Sequence, residues 1–213
     1  MRFIETIQVK EGEIVNLALH KDRSRETIHY HFGIKRDLPF EELLKGPGPS
    51  APGIQNPDKE SSTQKPCDES GIWKLRVVYS KDIEEFTIEP YRKRAIKTIK
   101  PVDGGEIGYS FKYENRTGLE KLLSCKGEAD DILIIKDGLV TDTSFTNVVF
   151  REGDKLYTPS SYLLNGVKRR AMLKEGLITE KVIRAEDIRE YQQCYLINAF
   201  LDLYPVEILP AMY

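Results

Sequence analysis

Gly138-Leu139-Val140-Thr141-Asp142-Thr143-Ser144-Phe145-Thr146-Asn147-Val148-Val149-Phe150 sets a carboxylate, a run of hydroxyls and an amide between two apolar segments. Short hydroxyl side chains bond to ligand and backbone alike, so Ser and Thr crowded about an acid suit a loop that holds a polar ligand. Taken alone, Asp142 could equally cap a turn, the commoner fate of Asp beside Ser and Thr.

Around this stretch the chain alternates strands and helices without a strict strand-helix-strand rhythm, which predicts an α+β fold of two subdomains. Upstream, residues 2–9 read as a strand, Glu11-Gly12-Glu13 as a hairpin turn, and Ile14 to Leu19 as the returning strand. A helix is predicted from His20 to Phe32, ended by Gly33, and a short helical piece from Phe40 to Lys45. Residues 46–70 are rich in Gly, Pro, Ser and charge, with almost nothing apolar, and read as a surface loop. Strands follow over 72–79, 83–88 and 95–102. Asp103-Gly104-Gly105 is the candidate hinge, dividing a smaller N-terminal subdomain (1–103) from a larger one (104–213). Beyond it come a polar segment around Lys112, a short helix near Leu119 to Ser124 and a strand over 132–136. Downstream of the opening stretch lie a hairpin around Glu152-Gly153-Asp154, a helix from Val167 to Glu175 stopped by Gly176, a helical turn over 186–191, and strands over 195–197 and 206–209.

Composition narrows the function classes. With 213 residues, 40% of them apolar, the chain can bury a core, and 32 basic against 34 acidic residues leave no electrostatic footprint for nucleic acid. No apolar run is long enough to span a membrane. An acid at Glu5 stands where a signal peptide would have its apolar stretch. Three widely spaced cysteines, Cys67, Cys125 and Cys194, fit neither a disulfide framework nor a zinc site, and a reducing cytoplasm is the expected compartment.

Candidate chemistry concentrates in a few places. His20-Lys21-Asp22-Arg23 and Leu164-Asn165-Gly166-Val167-Lys168-Arg169-Arg170 are helix starts that could take a phosphate, although a basic helix start is more often a solvated face. Lys112, among the aromatics of Ser110-Phe111-Lys112-Tyr113, could be desolvated into a nucleophile or base, against the ordinary reading of a surface lysine. His29 and His31 lie two apart on a predicted helix, share no face and read as packing or surface residues; no metal site is expected.

Taken in order, these pieces resemble the class IV aminotransferases, the pyridoxal-phosphate (PLP) enzymes of fold type IV. Phe3-Ile4-Glu5-Thr6 is similar to the family's N-terminal Phe-Glu-Thr strand, His20-x-x-Arg23 to the His-x-x-Arg whose arginine binds the cofactor phosphate, and Lys112-x-x-Asn115-Arg116 to the segment of the cofactor-binding lysine. Val140-Thr141-Asp142 with Asn147 resembles Val-Thr-Glu-(x)4-Asn. Tyr157-Thr158-Pro159 with Asn165-Gly166-Val167-Lys168-Arg169 resembles the closing signature. The resemblance implies the two-subdomain fold of D-amino-acid aminotransferase. It also implies a homodimer, PLP as cofactor, Lys112 as the catalytic residue, and cofactor contacts from Arg23, Lys112, Asp142, Thr143, Ser144, Thr146, Asn147, Val167, Lys168 and Asn198.

Within the family, Lys112-x-x-Asn115-Arg116 and Ile197-Asn198-Ala199 look more like 4-amino-4-deoxychorismate lyase, which makes 4-aminobenzoate and pyruvate for folate synthesis. The alternative is an aminotransferase acting on branched-chain or D-amino acids, and a third reading is a catalytically inactive relative serving as a binding module. Three departures stand out: the N-terminal half is short and lacks a recognisable Arg or His trap for a substrate carboxylate, and two positions differ. Asp142 replaces the family's glutamate opposite the pyridine nitrogen, and Lys168 replaces a threonine that contacts phosphate. Arg76, Arg92 or Arg94 could meet a substrate carboxylate. The expected partner is a small amino substrate, with neither nucleic acid nor membrane.

Overall fold

β1 (Phe3–Lys10) puts Phe3, Glu5, Ile7 and Val9 on one face, and all four are fully buried, because residues two apart on a strand share a side. After it, Glu11 and Gly12 take φ of 53° and 79°, the left-handed pair that suits a two-residue hairpin, with Gly at the second position. β2 (Glu13–Ile14) is far shorter than the return strand expected from the sequence. Asn16 turns left-handed, φ 57°, and α1 (Leu17–Phe32) starts there instead; asparagine is one of the few residues that accepts this conformation. The computed structural model describes residues 1–45 and 71–210. The segment 46–70, read as a surface loop and containing Cys67, lies outside the described residues.

α1 buries His20, Arg23, Ser24, Thr27 and Ile28, the spacing of one helical face. Four of those five side chains are polar, so most of this inward stripe is chosen for something other than apolar packing. β3 (Ile72–Tyr79) and β4 (Ile83–Pro90) complete an antiparallel sheet of order β2-β1-β3-β4. Phe3, Ile7, Ile28, Phe40, Leu75 and Val77 form its core.

The chain divides into two units, Met1–Lys93 with Phe111–Asn115, and Arg94–Ser110 with Arg116–Tyr213. The division therefore falls ten residues before the Asp103-Gly104-Gly105 hinge read from the sequence, since Asp103 ends a strand, β5 (Thr98–Asp103), of the second unit. Lys112 belongs to the first unit because Ile4 N–H donates to Lys112 O (2.9 Å) and Glu114 N–H to Arg2 O (3.1 Å), laying this segment along the start of β1.

The second unit contains β6 (Asp131–Lys136), β7 (Leu139–Thr143), β8 (Asn147–Glu152), β9 (Lys155–Pro159), β10 (Thr179–Lys181), β11 (Gln193–Asn198) and β12 (Leu201–Ile208), with α2 (Thr117–Leu123) and α3 (Val167–Lys174). Its sheet runs β10-β9-β8-β11-β12-β5-β6-β7, and β7 also pairs with β8. That extra pairing, Asp142 opposite Asn147, closes the strands from β8 round to β7 into a barrel. Inside sit Ile99, Leu133, Val140, Val148, Phe150 and Leu196. The alternate residues Val149 and Ile197 face outward onto Met172 of α3.

The opening stretch is not one loop. Leu139–Thr143 is strand, residues 144–146 turn, and Gly138 belongs to the turn before β7. Its hydroxyls do not forbid a strand, because Thr141 Oγ1 donates to Ile134 O on the neighbouring strand (2.9 Å), which satisfies a buried polar group without water.

Candidate active site

In the first unit, Glu5 is the only charged side chain on the buried face of β1. Arg23 Nε donates to Glu5 Oε1 at 2.8 Å, Arg23 Nη2 donates to Oε2, and His20 Nδ1 lies 2.6 Å from Oε2. Burial pushes the Glu5 carboxyl up, but the Arg23 charge and the bonds from His20 and Arg23 outweigh it and hold the group down at about 2. Burial pushes His20 the other way, toward its neutral form, against Glu5; the Arg23 and Lys112 charges add to that downward push. The Lys112 carbonyl accepts from the N–H of Ile4, the residue before Glu5, which lays Lys112 along this part of β1. Its neighbours in sequence serve packing: Tyr113 lies 5.3 Å from the Phe3 ring and Phe111 lies 4.6 Å from that of His31.

In the second unit, the barrel closure carries the acid. Asp142 Oδ1 accepts from Asn147 Nδ2 (2.9 Å), and Oδ2 accepts from the backbone N–H of Leu164 (2.8 Å) and Leu163 (3.2 Å). Burial raises its carboxyl to about 7 even so, against the Leu164 amide, the Asn147 side chain, the Leu163 amide and Arg169, all of which favour the charged form. Asn147 Nδ2 also donates to Leu164 O (2.8 Å), so one side chain joins the acid to the loop before α3. A Cβ at Gly166 would overlap Asn147 Oδ1, which explains glycine there. α3 begins at Val167 with no side chain capping it and no acid in its first turn, among the described residues. Its first amide donors and the positive end of the helix are suited to an anion.

The remaining predicted residues divide by role. Thr143 and Thr146 spend their hydroxyls on one another (2.8 Å), and Thr143 Oγ1 accepts from the Phe145 and Thr146 amides, which builds the 143–146 turn. Arg116 Nη2 donates to Ser144 O (2.5 Å) and pins the same turn. Asn198 Oδ1 accepts from the amides of Phe200 and Leu201, forming the β11–β12 turn. Lys168 is ion-paired to Asp202. Of the arginines considered for a substrate carboxylate, Arg76 lies 3.5 Å from Glu114, whereas Arg94 donates to Asp130 O and sits over the Phe145 ring. Glu5 and Arg116 entered the sequence reading only as members of motifs, with no role in the site, and the Leu163 and Leu164 amides did not enter it. For Glu5 a further signal existed: an acid in phase with Phe3, Ile7 and Val9. Among the described residues no group of His, Cys, Asp and Glu could hold a metal ion, and no helix is long and apolar enough to cross a membrane.

Comparison with known proteins places this arrangement. Residues 111–209 match the amino-transferase class IV family. An uncharacterized protein of Haemophilus influenzae is 32% identical over 197 residues, covering 92% of this chain and 95% of that one. A crystal structure from Haemophilus somnus 129PT, provisionally assigned as a 4-amino-4-deoxychorismate lyase, is 30% identical with a TM-score of 0.72, covering 93% of this chain and 95% of that chain. A Mycobacterium tuberculosis protein described as a hypothetical aminotransferase, in its PLP-bound form, shares the fold at 16% identity and TM-score 0.71, covering 99% of this chain and 84% of that one.

An α+β protein with a closed barrel and this order of motifs is a PLP-dependent enzyme of the aminotransferase and lyase class. The chain belongs to the amino-transferase class IV family. Its donor set suits the cofactor: a buried carboxyl that accepts bonds from one side-chain amide and two backbone amides suits a protonated ring nitrogen, and a helix start that no side chain caps suits a phosphate.

Proposed function

We propose that the protein is a lyase that uses PLP to convert 4-amino-4-deoxychorismate to 4-aminobenzoate and pyruvate, providing a folate precursor. The observation that carries this reading is the segment Lys112-x-x-Asn115-Arg116, in which the Lys112 carbonyl accepts from Ile4 N–H, next to Glu5, while Arg116 pins the turn that follows Asp142. The 30% identity to the Haemophilus somnus structure supports it.

When bound, PLP supplies an electron sink for negative charge on the carbon that bears the substrate amine. Lys112 would hold the cofactor, and its Nζ would take the proton from the carbon that bears the substrate amine. The bond between the ring and the enolpyruvyl oxygen then breaks, the ring becomes aromatic, and the proton is balanced in the methyl group of pyruvate. No oxidant and no water is consumed. Asp142 is assigned to the pyridine nitrogen. Arg23, the backbone amides of Val167 and Lys168, and Asn198 are assigned to the phosphate. Thr143, Ser144 and Thr146 shape the turn beside Asp142, and Asn147 orients Asp142 itself. The reading includes a homodimer in the cytoplasm, which sedimentation of the purified protein and fractionation of cells would test.

The second reading, an aminotransferase for branched-chain or D-amino acids, is favoured by the family match over residues 111–209. Both follow from the same proton removal by Lys112 and differ in whether a bond to oxygen breaks or an amine passes to a 2-oxo acid. Paired assays separate them. Aminodeoxychorismate should yield 4-aminobenzoate and pyruvate in equal amounts, while D- and L-amino acids with 2-oxoglutarate should yield no exchange. Exchange without aminobenzoate would overturn the lyase reading. Inactivity in both, with no uptake of PLP, would leave the binding module.

A further inference from the structure

We propose that Glu5 is a positioning residue: through its two-pronged contact with Arg23 it fixes the direction in which the guanidinium meets the cofactor phosphate. The inference rests on the assignment of Arg23 to that phosphate. Glu5 stands on β1 in the phase of Phe3, Ile7 and Val9, and its exposure is 0%. An aliphatic residue would fill that place at less cost, because a buried ion pair is commonly no more stabilising than well-packed apolar groups of the same volume. Stability is therefore a weak reason for the pair to exist, and geometry is a better one.

The geometry is specific. Glu5 takes Nε and Nη2 of Arg23, one edge of the planar fork, which sets the plane of the guanidinium as well as its position. His20 Nδ1, 2.6 Å from Oε2, holds the carboxylate from the other side. Thr27 Oγ1 donates to Arg23 O (2.8 Å) and Ser24 Oγ to Lys21 O (3.0 Å), tying down the turn of α1 that bears the arginine. A free arginine side chain has several rotatable bonds to order when it binds a ligand; here β1 has ordered them beforehand. A second effect opposes the first, since the Glu5 charge repels a dianionic phosphate. The proposal is that orientation outweighs repulsion.

Dissociation constants for PLP and for pyridoxal, which lacks the phosphate, isolate the effect when measured by absorbance titration on the full chain. The ratio of the two reports phosphate recognition alone. Arg23→Ala should collapse the ratio. Glu5→Gln should lower it about tenfold, as expected for a hydrogen bond to a charged group, with pyridoxal binding unchanged and with no further loss when added to Arg23→Ala. A merely structural role would move both ligands together or neither. Glu5→Asp keeps the charge but shortens the reach. It should lower the ratio by less, and it carries the test if Glu5→Gln does not fold. A ratio that stays or rises in the Glu5 variants while Arg23→Ala lowers it would overturn the proposal and leave the Arg23 assignment standing. A ratio unmoved by Arg23→Ala would overturn that assignment and this proposal with it.

Discussion

Asp142 and Asn147 stand opposite each other where β7 meets β8, and Asn147 Nδ2 donates to Asp142 Oδ1 at 2.9 Å. The pair that closes the barrel is thus also the pair that presents the acid. Because Asn147 bonds to Leu164 O as well, the closure, the acid and the approach to α3 are one construction. Asp142 is one methylene shorter than the family's glutamate, and the Leu163 and Leu164 amides reach it from the loop side.

Gly166→Ala tests that construction sterically. The added methyl would overlap Asn147 Oδ1, and Asn147 has little room to move because its Nδ2 is engaged on two sides. Such overpacking should destabilise by about 1–3 kcal/mol, with weaker PLP uptake. Urea unfolding with and without PLP measures both, and an unchanged midpoint would contradict the account.

Asp142 should make the PLP-free protein less stable as pH rises. Its carboxyl is raised in the folded protein from 3.8 to about 7, so folding favours the protonated form. That contribution is complete below the unfolded value and is lost as pH rises through about 7. The stability of the wild type relative to Asp142→Asn should therefore fall by about 1.4 kcal/mol per pH unit across that window. Urea unfolding at successive pH values reads this directly. Bound PLP, by setting a cation against the carboxylate, should flatten the dependence; parallel curves with and without PLP would dissociate Asp142 from the ring nitrogen.

Glu5 has the opposite sign. Held down to about 2 from 4.5, it contributes stability that is complete above the unfolded value and lost as pH falls toward 2. The contribution is on the order of 3 kcal/mol. Acid unfolding followed by circular dichroism should show the wild type losing its advantage over Glu5→Gln within that window. Equal acid sensitivity would mean the carboxylate is not paired as described.

The Lys168–Asp202 pair should matter little for stability. The Asp202 side chain is 79% exposed, and exposed pairs contribute about 0–1 kcal/mol. Asp202→Ala should leave the thermal midpoint nearly unchanged, whereas Lys168→Thr, restoring the family's hydroxyl, should reduce the salt dependence of PLP binding by removing one cation. A steeper salt dependence in Lys168→Thr would count against a phosphate role for Lys168.

The fold class was legible because β1 places its apolar residues in the alternating phase of a strand and because Gly33 and Gly176 punctuate two helices where expected. β7 was not, since a run of Thr, Asp and Ser is strand-compatible only when partners such as Ile134 O lie on another strand, and no local pattern reveals them. The return strand after β1 was overextended because the left-handed turn at Asn16 leaves no periodic trace. The candidate site was legible as motifs, and its wiring was not. Glu5 to Arg23 and Asn147 to Leu164 are contacts between residues 18 and 17 positions apart, which spacing alone does not pair.

Borohydride reduction of protein loaded with one equivalent of PLP, followed by peptide mass mapping, tests most directly that Lys112 holds the cofactor. One pyridoxyl group per chain is predicted, on the peptide that contains Lys112, and none on Lys112→Ala. A label on another lysine, or no label on a folded chain, would contradict the account.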